Sequence, residues 1–147
     1  MTILRGACQC RKIAVAFETA MAVDDIALRA CGCSFCRSHV AKTAADPNGR
    51  LTISAGRDAF DRFQFGMRTA DYIICRTCGT YVAAVITSGG EERATLNAAG
   101  TKLDRIWDRP ASAVHYDQES AEQRRARRLA SWTPSTFVQR IAEAGVG

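Results

Sequence analysis

Short runs in which every second residue is apolar dominate the first hundred positions of the chain. The clearest runs cover residues 13–17 and 51–55, where the bulky apolar side chains occupy odd-numbered positions. A period of two is typical of a strand with one buried face. Ile26 and Leu28 repeat the pattern shortly before a cysteine at position 31. Similar runs predict further strands at residues 62–65, 71–75, 80–87 and 94–97. The sequence therefore predicts a mainly β fold.

Two turns separate these strands. Residues 46–49 read Asp-Pro-Asn-Gly, in which proline fixes φ and Asn-Gly tolerates positive φ. Residues 88–91 read Ser-Gly-Gly-Glu, so the strand that ends near residue 87 is expected to fold back into the next strand.

The last quarter of the chain predicts helices instead of strands. Ser120 and Gln123 have the spacing of a capping box, so a helix is expected at residues 121–131. Pro134 ends that helix or begins the next one. Residues 136–144 predict a second short helix, because their apolar side chains fall on one side.

The length of the chain favours a single domain over residues 1–147, with a substantial core. No apolar run approaches the ~20 residues that a membrane-spanning helix needs. The first five residues, Met-Thr-Ile-Leu-Arg, lack the apolar core of a secretory signal. We therefore expect a cytoplasmic location, where thiols stay reduced.

Seven cysteines fall into three tight clusters. The clusters are Cys8 with Cys10, Cys31 with Cys33 and Cys36, and Cys75 with Cys78. Disulfides fit this pattern poorly, because the number is odd and because a Cys-x-Cys bridge requires a strained ring. Metal binding is the interpretation that uses every cysteine.

Two, three and two thiols divide into one set of four and one set of three. Structural zinc is held by four protein ligands, whereas reactive zinc keeps three and leaves one position for water or substrate. The sequence thus predicts two zinc ions per chain, one that holds the fold and one that takes part in chemistry. An iron–sulfur cluster remains open on spacing alone, although short Cys-x-x-Cys turns on a β-rich chain suit tetrahedral zinc.

The spacing does not decide which clusters combine. Cys8 and Cys10 present two sulfurs on one side if their segment is extended. Residues 75–79 suit a tight turn around one ion, with Gly79 in the left-handed conformation. Residues 31–36 can supply three sulfurs alone. A four-thiolate set drawn from positions 8, 10, 31 and 33 is also compatible with the spacing.

The formal charge of +5 falls when the cysteines bind metal. Seven thiolates and two zinc ions together remove three positive charges, because metal binding releases the thiol protons. The remaining basic character is local, chiefly at Arg124, Arg125, Arg127 and Arg128. These side chains form either a solvated helix face or a surface that contacts nucleic-acid phosphates. Nucleic acid is the less favoured partner, because no series of stacking aromatic residues accompanies the arginines.

The order of the cysteine motifs resembles that of one protein family. Gly-x-Cys-x-Cys, Cys-x-Cys-Ser-x-Cys and Cys-x-x-Cys-Gly follow one another between residues 6 and 79. With the Trp-Thr-Pro stretch at 132–134, they resemble the glutathione-dependent formaldehyde-activating enzymes, a family that includes centromere protein V. The resemblance implies a β-tent of packed antiparallel sheets, here with short C-terminal helices. Arg11, where relatives commonly have glycine, and residues 37–42 depart from the family pattern.

The resemblance also implies roles for the cysteines. Cys8, Cys10, Cys75 and Cys78 would hold the structural zinc, and Cys31, Cys33 and Cys36 would hold the reactive zinc. The implied activity is that of a carbon–sulfur lyase, whose substrates are glutathione and the aldehyde formaldehyde and whose adduct is S-(hydroxymethyl)glutathione. Zinc with an open position lowers the pKa of an incoming thiol below the ~8.5 of free cysteine. The alternatives are a zinc module that only binds a partner and a protein that keeps the metals without turnover.

Three residues that follow Cys36 are further candidates for this site. His39 is placed to shuttle a proton or to complete the zinc shell, and a surface position is the competing interpretation. Arg37 and Lys42 are candidates to pair with the carboxylates of glutathione, or are simply solvated. His115 lies in a Val-His-Tyr segment and is expected to be packed or hydrogen-bonded.

Overall fold

A computed structural model gives the fold of residues 1–140, in which eleven strands form one continuous sheet. The strands are β1 (Thr2–Ala7), β2 (Ile13–Thr19), β3 (Arg29–Cys31), β4 (Thr43–Ala44), β5 (Arg50–Ala55), β6 (Phe60–Phe63), β7 (Asp71–Cys75), β8 (Tyr81–Ser88), β9 (Glu91–Asn97), β10 (Ser112–Val114) and β11 (Thr133–Gln139). The α-helices are α1 (Ser34–Ser38) and α2 (Ala121–Ser131), with a short 3-10 turn at Val23–Asp25. Within these residues, no helix has the length and apolar character needed to cross a bilayer.

The sheet branches at β9. Its main path runs β1-β2-β5-β11-β9-β4-β3-β10, and β8, β7 and β6 extend from β9 in a second direction. Most neighbours are antiparallel, whereas β3 pairs with β10 and β5 with β11 in parallel. Buried side chains from β1, β2, β5, β7, β8 and β9 meet in one core. The prediction of a mainly β fold is confirmed, in the form of a mixed sheet.

Both predicted turns are present where the sequence places them. The backbone N–H of Gly49 donates to the carbonyl of Asp46 at 3.0 Å. Gly89 and Gly90 have φ values of +59° and +82°, which favour glycine and allow a tight hairpin between β8 and β9. The local sequence therefore sets how these strands connect.

The C-terminal part contains one confirmed and one wrong prediction. Helix α2 covers the predicted residues, and its capping box joins Ser120 and Gln123 in both directions. The second helix is wrong over 136–139, because these residues belong to β11, which inserts between β5 and β9. Ladder hydrogen bonds to two neighbouring strands outweigh a weak apolar periodicity. Residues 141–144 of that predicted helix lie outside the described part of the chain.

Two strand predictions are shifted. Ile26 and Leu28 are buried as expected, but β3 begins only at Arg29. The strand expected at 62–65 is found at Phe60–Phe63. In both cases burial of apolar side chains was predictable, whereas the exact positions of the ladder hydrogen bonds depend on strands distant in sequence.

The turn after β1 holds a residue in an unfavourable backbone conformation. The segment that contains Cys8 and Cys10 is a turn and is not extended, because the Arg11 N–H donates to the Cys8 carbonyl at 2.9 Å. Within this turn, Arg11 has a φ of +70°. An L-residue in this left-handed region costs about 1 kcal/mol or more, and glycine does not incur that cost.

We expect Arg11→Gly to raise the free energy of unfolding by up to about 1 kcal/mol, because it relieves this strain. Lys12→Gly is the control at the neighbouring position, which has no positive φ; glycine there loosens the chain and removes the hydrogen bond from Lys12 Nζ to Thr77 Oγ1. Thermal melting of the zinc-loaded variants would measure both. A lower melting temperature for Arg11→Gly than for Lys12→Gly would contradict this account.

Candidate metal centres

The ends of two hairpins bring four cysteines together. The Sγ atoms of Cys8, Cys10, Cys75 and Cys78 all lie within 4.8 Å of one another. The Sγ of Cys10 is 3.6 Å from that of Cys8 and 3.5 Å from that of Cys75. Zn–S bonds of about 2.3 Å in a tetrahedron place sulfurs ~3.8 Å apart. The four side chains therefore fit one tetrahedral zinc ion, and the alternative set that includes Cys31 and Cys33 is not the one that the fold assembles.

Local hydrogen bonds hold these four thiols in position. The backbone N–H of Ile13 donates to Cys8 Sγ at 3.3 Å, and Thr80 Oγ1 lies 3.1 Å from Cys78 Sγ. Gly79 has the expected left-handed conformation, with a φ of +76°. Donors around a metal ligand fix its orientation. This set connects the β1–β2 turn to the β7–β8 turn, as a structural site would.

Burial strongly affects the free thiols of this set. Burial is the main reason why the pKa of Cys8 rises to about 12, and it also raises the pKa of Cys75. Burial would raise the pKa of Cys78 too, but hydrogen bonds from Thr80 and from backbone groups lower it to about 6. A bound divalent cation is the kind of group that stabilises several buried thiolates together.

The second set consists of three cysteines on one short segment. Cys31 ends β3, Cys33 caps α1, and Cys36 lies within α1. Their Sγ atoms lie within 4.8 Å of one another, and the backbone N–H of Cys36 donates to Cys33 Sγ at 3.4 Å. A hydrogen bond from Cys36, aided by backbone donors, lowers the pKa of Cys31 to about 5 despite burial. Three converging sulfurs fit a zinc ion with one position left open.

Two cavities lie on either side of this second set. The smaller cavity has a volume of 160 Å³ and is bordered by Cys31 and Cys36. The larger has a volume of 410 Å³ and is bordered by Cys31 and Cys33. Both cavities share the residues Cys31, Tyr72, Tyr116, Arg127 and Arg128. The cysteine site therefore lies in the wall between two spaces that can each hold part of a ligand.

Arginines of α2 border the larger cavity. Arg127 makes two hydrogen bonds to Glu119, at 2.8 and 3.0 Å, and its guanidinium lies 3.5 Å from the centre of the Tyr116 ring. Arg124 Nη2 donates to the Tyr116 carbonyl at 2.8 Å. The pKa of Glu119 is lowered because it accepts hydrogen bonds from Arg127. Glu119 thus stays ionised near neutral pH and fixes the Arg127 side chain.

Arg128 is a buried cation at the same place. It is 6% exposed, and its Nη1 donates to Thr69 Oγ1 at 2.7 Å. Within residues 1–140, its Nε has no hydrogen-bond partner. Burial lowers the pKa of Arg128, although an arginine keeps its charge at neutral pH. A buried charge is costly unless an opposite charge faces it, and Arg128 borders the same two cavities as Cys31.

The three candidates that follow Cys36 lie away from these two cavities. His39 stacks on Phe35 with ring centres 4.5 Å apart and borders a different cavity next to Cys8. It is not in the group of Cys31, Cys33 and Cys36. Arg37 is exposed, and Lys42 Nζ donates to the carbonyl of Arg109 at 2.8 Å. The contacts of these three side chains therefore give little support to a role at the second set.

The sequence did not reveal the tyrosines that border the site. It also predicted that the α2 arginines form a solvated face or a surface for phosphates, not part of this site. Tyr72 lies on β7, far in sequence from every cysteine of the second set. The expectation that His115 is packed or hydrogen-bonded is wrong: its side chain is exposed and borders the larger cavity, next to Gly32. A usable signal was the spacing of Arg124, Arg127 and Arg128, which places three cations on one face of a helix. That face turns toward the cysteines, not away from the protein.

Comparisons with known proteins agree with this geometry. The family model described as glutathione-dependent formaldehyde-activating enzyme matches residues 3–118. A crystal structure of a Rhodobacter sphaeroides protein is 32% identical, with a TM-score of 0.57, and the match covers 75% of this chain and 99% of that chain. No curated protein matches the chain. The matched family region includes all seven cysteines, whereas the arginines of α2 lie beyond it.

Proposed function

The chain belongs to the family of glutathione-dependent formaldehyde-activating enzymes, and from this premise we propose that it is a zinc enzyme with carbon–sulfur lyase activity. Its reaction joins glutathione to formaldehyde and gives S-(hydroxymethyl)glutathione, or cleaves that adduct. The observation that carries the proposal is the group of three cysteine sulfurs in the wall shared by two cavities.

The two cysteine sets have different roles in this proposal. Cys8, Cys10, Cys75 and Cys78 would hold a structural zinc, because four thiolates close its shell. Cys31, Cys33 and Cys36 would hold a second zinc with an open position. When bound there, zinc supplies Lewis-acid chemistry that lowers the pKa of a substrate thiol.

The larger cavity suits the peptide part of glutathione. Glutathione carries two carboxylates, and three arginines of α2, Arg124, Arg127 and Arg128, border this cavity together with one acidic residue, Asp117. Guanidinium groups bind carboxylates through paired hydrogen bonds. Because Glu119 already fixes Arg127, little side-chain entropy is lost when the carboxylate binds. These arginines replace Arg37 and Lys42 as our proposed carboxylate partners.

The residues between the cavities would act on the carbonyl group. As the thiol sulfur adds to the aldehyde carbon, one carbon–sulfur bond forms and the carbonyl oxygen takes up a proton. Burial raises the pKa of Tyr72 to about 12, so its hydroxyl is protonated near neutral pH and can donate to that oxygen. The buried cation Arg128 stabilises the negative charge that develops on the carbonyl oxygen.

The positions of the α2 arginines support the proposed enzyme better than a module that binds nucleic acid. Arg124 and Arg127 are partly buried and border the larger cavity, and Arg128 is buried, so none of the three lies on the outer surface of the helix. Arg125 is the one exposed arginine of the four. A single exposed cation is a poor phosphate-binding surface.

The proposed reaction can be measured by NMR exchange. Labelled formaldehyde and glutathione form their adduct spontaneously, so the readout is the rate at which signal moves between free formaldehyde and adduct. We expect the zinc-loaded protein to accelerate this exchange above the spontaneous rate. The protein stripped of zinc should not do so. Equal exchange rates with and without the loaded protein would refute the proposal.

We expect Arg127→Gln to raise KM for glutathione about 10- to 100-fold with a smaller effect on kcat, since a charge-assisted hydrogen bond contributes about 1.5–3 kcal/mol. Arg125→Gln removes the same charge from the exposed face of α2 and should leave KM nearly unchanged. The two variants have the same net charge, so steady-state kinetics would separate a local contact from long-range attraction. A similar KM increase in both variants would show that Arg127 makes no specific contact.

A further inference from the structure

The smaller cavity beside Cys31 and Cys36 is larger than formaldehyde requires. Formaldehyde has two heavy atoms, whereas the cavity measures 160 Å³. An engineered protein cavity of about 150 Å³ is large enough for benzene. The space therefore matches a carbon side chain of about four to six atoms in addition to the reacting carbonyl group.

One part of the wall of this cavity is apolar. Ala45, Ala84 and Trp132 border it, together with the rings of Tyr72 and Tyr81. Ala84 is 1% exposed and Trp132 is 6% exposed, so this part of the wall is well removed from solvent. The cavity exists at this size because alanine occupies positions where a larger side chain would project into it.

The charged groups of the wall lie where the two cavities meet or near solvent. Arg127 and Arg128 border both cavities, so these cations lie at the boundary that the smaller cavity shares with the larger one. Asp25 and Arg29 also border the smaller cavity, but both are exposed.

The remaining polar groups leave room for an apolar ligand. Thr43 Oγ1 and Thr95 Oγ1 each lie 3.4 Å from a backbone carbonyl to which they can donate. The apolar part of the wall therefore suits a hydrocarbon chain, with the polar carbonyl group of the ligand at the shared boundary.

From this geometry we propose that the protein takes aldehydes that carry an apolar side chain of about four to six carbons, with the side chain in the smaller cavity and the thiol in the larger one. The inference rests on the proposed function. The chemistry is unchanged: the thiol S–H adds across the C=O bond, sulfur bonds to carbon, and the proton ends on oxygen. No oxidant or reductant takes part.

Stable S-alkyl glutathiones test the side-chain site without turnover. S-methylglutathione and S-butylglutathione share the peptide and differ only in the length of the chain on sulfur. Isothermal titration calorimetry of the zinc-loaded protein would give both dissociation constants. Burial of apolar surface predicts a gain of about fourfold in affinity for each added methylene. We therefore expect the butyl compound to bind at least about tenfold more tightly than the methyl compound.

Variants that fill the cavity should remove this preference. In Ala45→Leu the ratio of the two affinities should fall toward one, and in Ala84→Val it should fall in part. Ala16→Leu is the matched control, because Ala16 is a partly buried alanine of β2 that does not border the smaller cavity. Its affinity ratio should equal that of the unaltered protein. If Ala45→Leu does not fold, the affinity ratio of Ala84→Val tests the inference in its place.

The outcomes separate the inference from the proposed function. Failure of both compounds to bind the unaltered protein would overturn the glutathione site and, with it, the side-chain site. Equal affinity for the two compounds would overturn the inference alone, as would a butyl preference that persists in both filled variants. A butyl preference that is lost on filling would establish the side-chain site.

Discussion

Replacement of Cys75 or Cys78 with serine is expected to prevent stable folding. These residues belong to the set of four sulfurs that lie within 4.8 Å of one another at the ends of two hairpins. A structural zinc contributes about 10–16 kcal/mol of apparent binding energy, which is as large as the whole stability of a typical domain, about 5–15 kcal/mol. The loss of the zinc ion would therefore be comparable to the entire free energy of unfolding, and we expect three thiolates to hold it too weakly to keep the protein folded.

Circular dichroism and thermal melting under zinc-replete conditions would measure this effect. The unaltered protein should melt cooperatively, and Cys75→Ser and Cys78→Ser should show no such transition. Addition of a strong chelator to the unaltered protein should also abolish the cooperative transition, but more slowly. A variant at either position that melts like the unaltered protein would show that this set does not hold the fold together.

Replacement of Cys33 with serine is expected to abolish catalysis while the fold persists. Cys33 is the N-cap of α1, and serine is a preferred N-cap residue whose hydroxyl can accept the same hydrogen bond from the Cys36 N–H. The local helix is therefore preserved, whereas the second zinc that we propose would lose one of its three thiolates. Lewis-acid stabilisation amounts to several kcal/mol, so the exchange rate should fall at least about 100-fold.

The comparison of Cys33→Ser with Cys78→Ser is the matched test of the two roles. Both variants exchange one sulfur for oxygen in a partly buried position. Metal analysis should find close to one zinc per chain in Cys33→Ser, along with a cooperative melting transition. Equal loss of folding in the two variants would mean that the division into a structural and a reactive set is wrong.

Much of the fold was accessible from the sequence because local chemistry determines it. The two turns, the capping box of α2 and the period-two runs at residues 13–17 and 51–55 all depend on neighbouring residues, and each is found as predicted. Strand β11 was missed because its pairing with β5 and β9 involves residues 39 or more positions away. No local pattern encodes a pairing of that kind, and Phe137 suits a helix or a strand equally well.

The grouping of the cysteines was predictable from the sequence, whereas the residues that surround them were less so. Cysteine spacing indicated a set of four and a set of three, and the fold assembles those sets. The sequence predicted that residues close to Cys36, Arg37 and Lys42, pair with the carboxylates of glutathione. The structure instead brings α2, some ninety residues later, against Cys31. Tyr72 joins them from β7, so this environment depends on tertiary packing and not on spacing.

The sharpest test of the central claim is the visible spectrum of the cobalt-substituted protein as glutathione is added. Cobalt reports its ligands through d–d and thiolate charge-transfer bands, and a fourth sulfur at the three-cysteine set would change both. We predict a change that corresponds to one cobalt per chain, is absent in Cys33→Ser and persists in Arg125→Gln. A spectrum that stays the same up to millimolar glutathione would contradict the claim that this site binds the thiol.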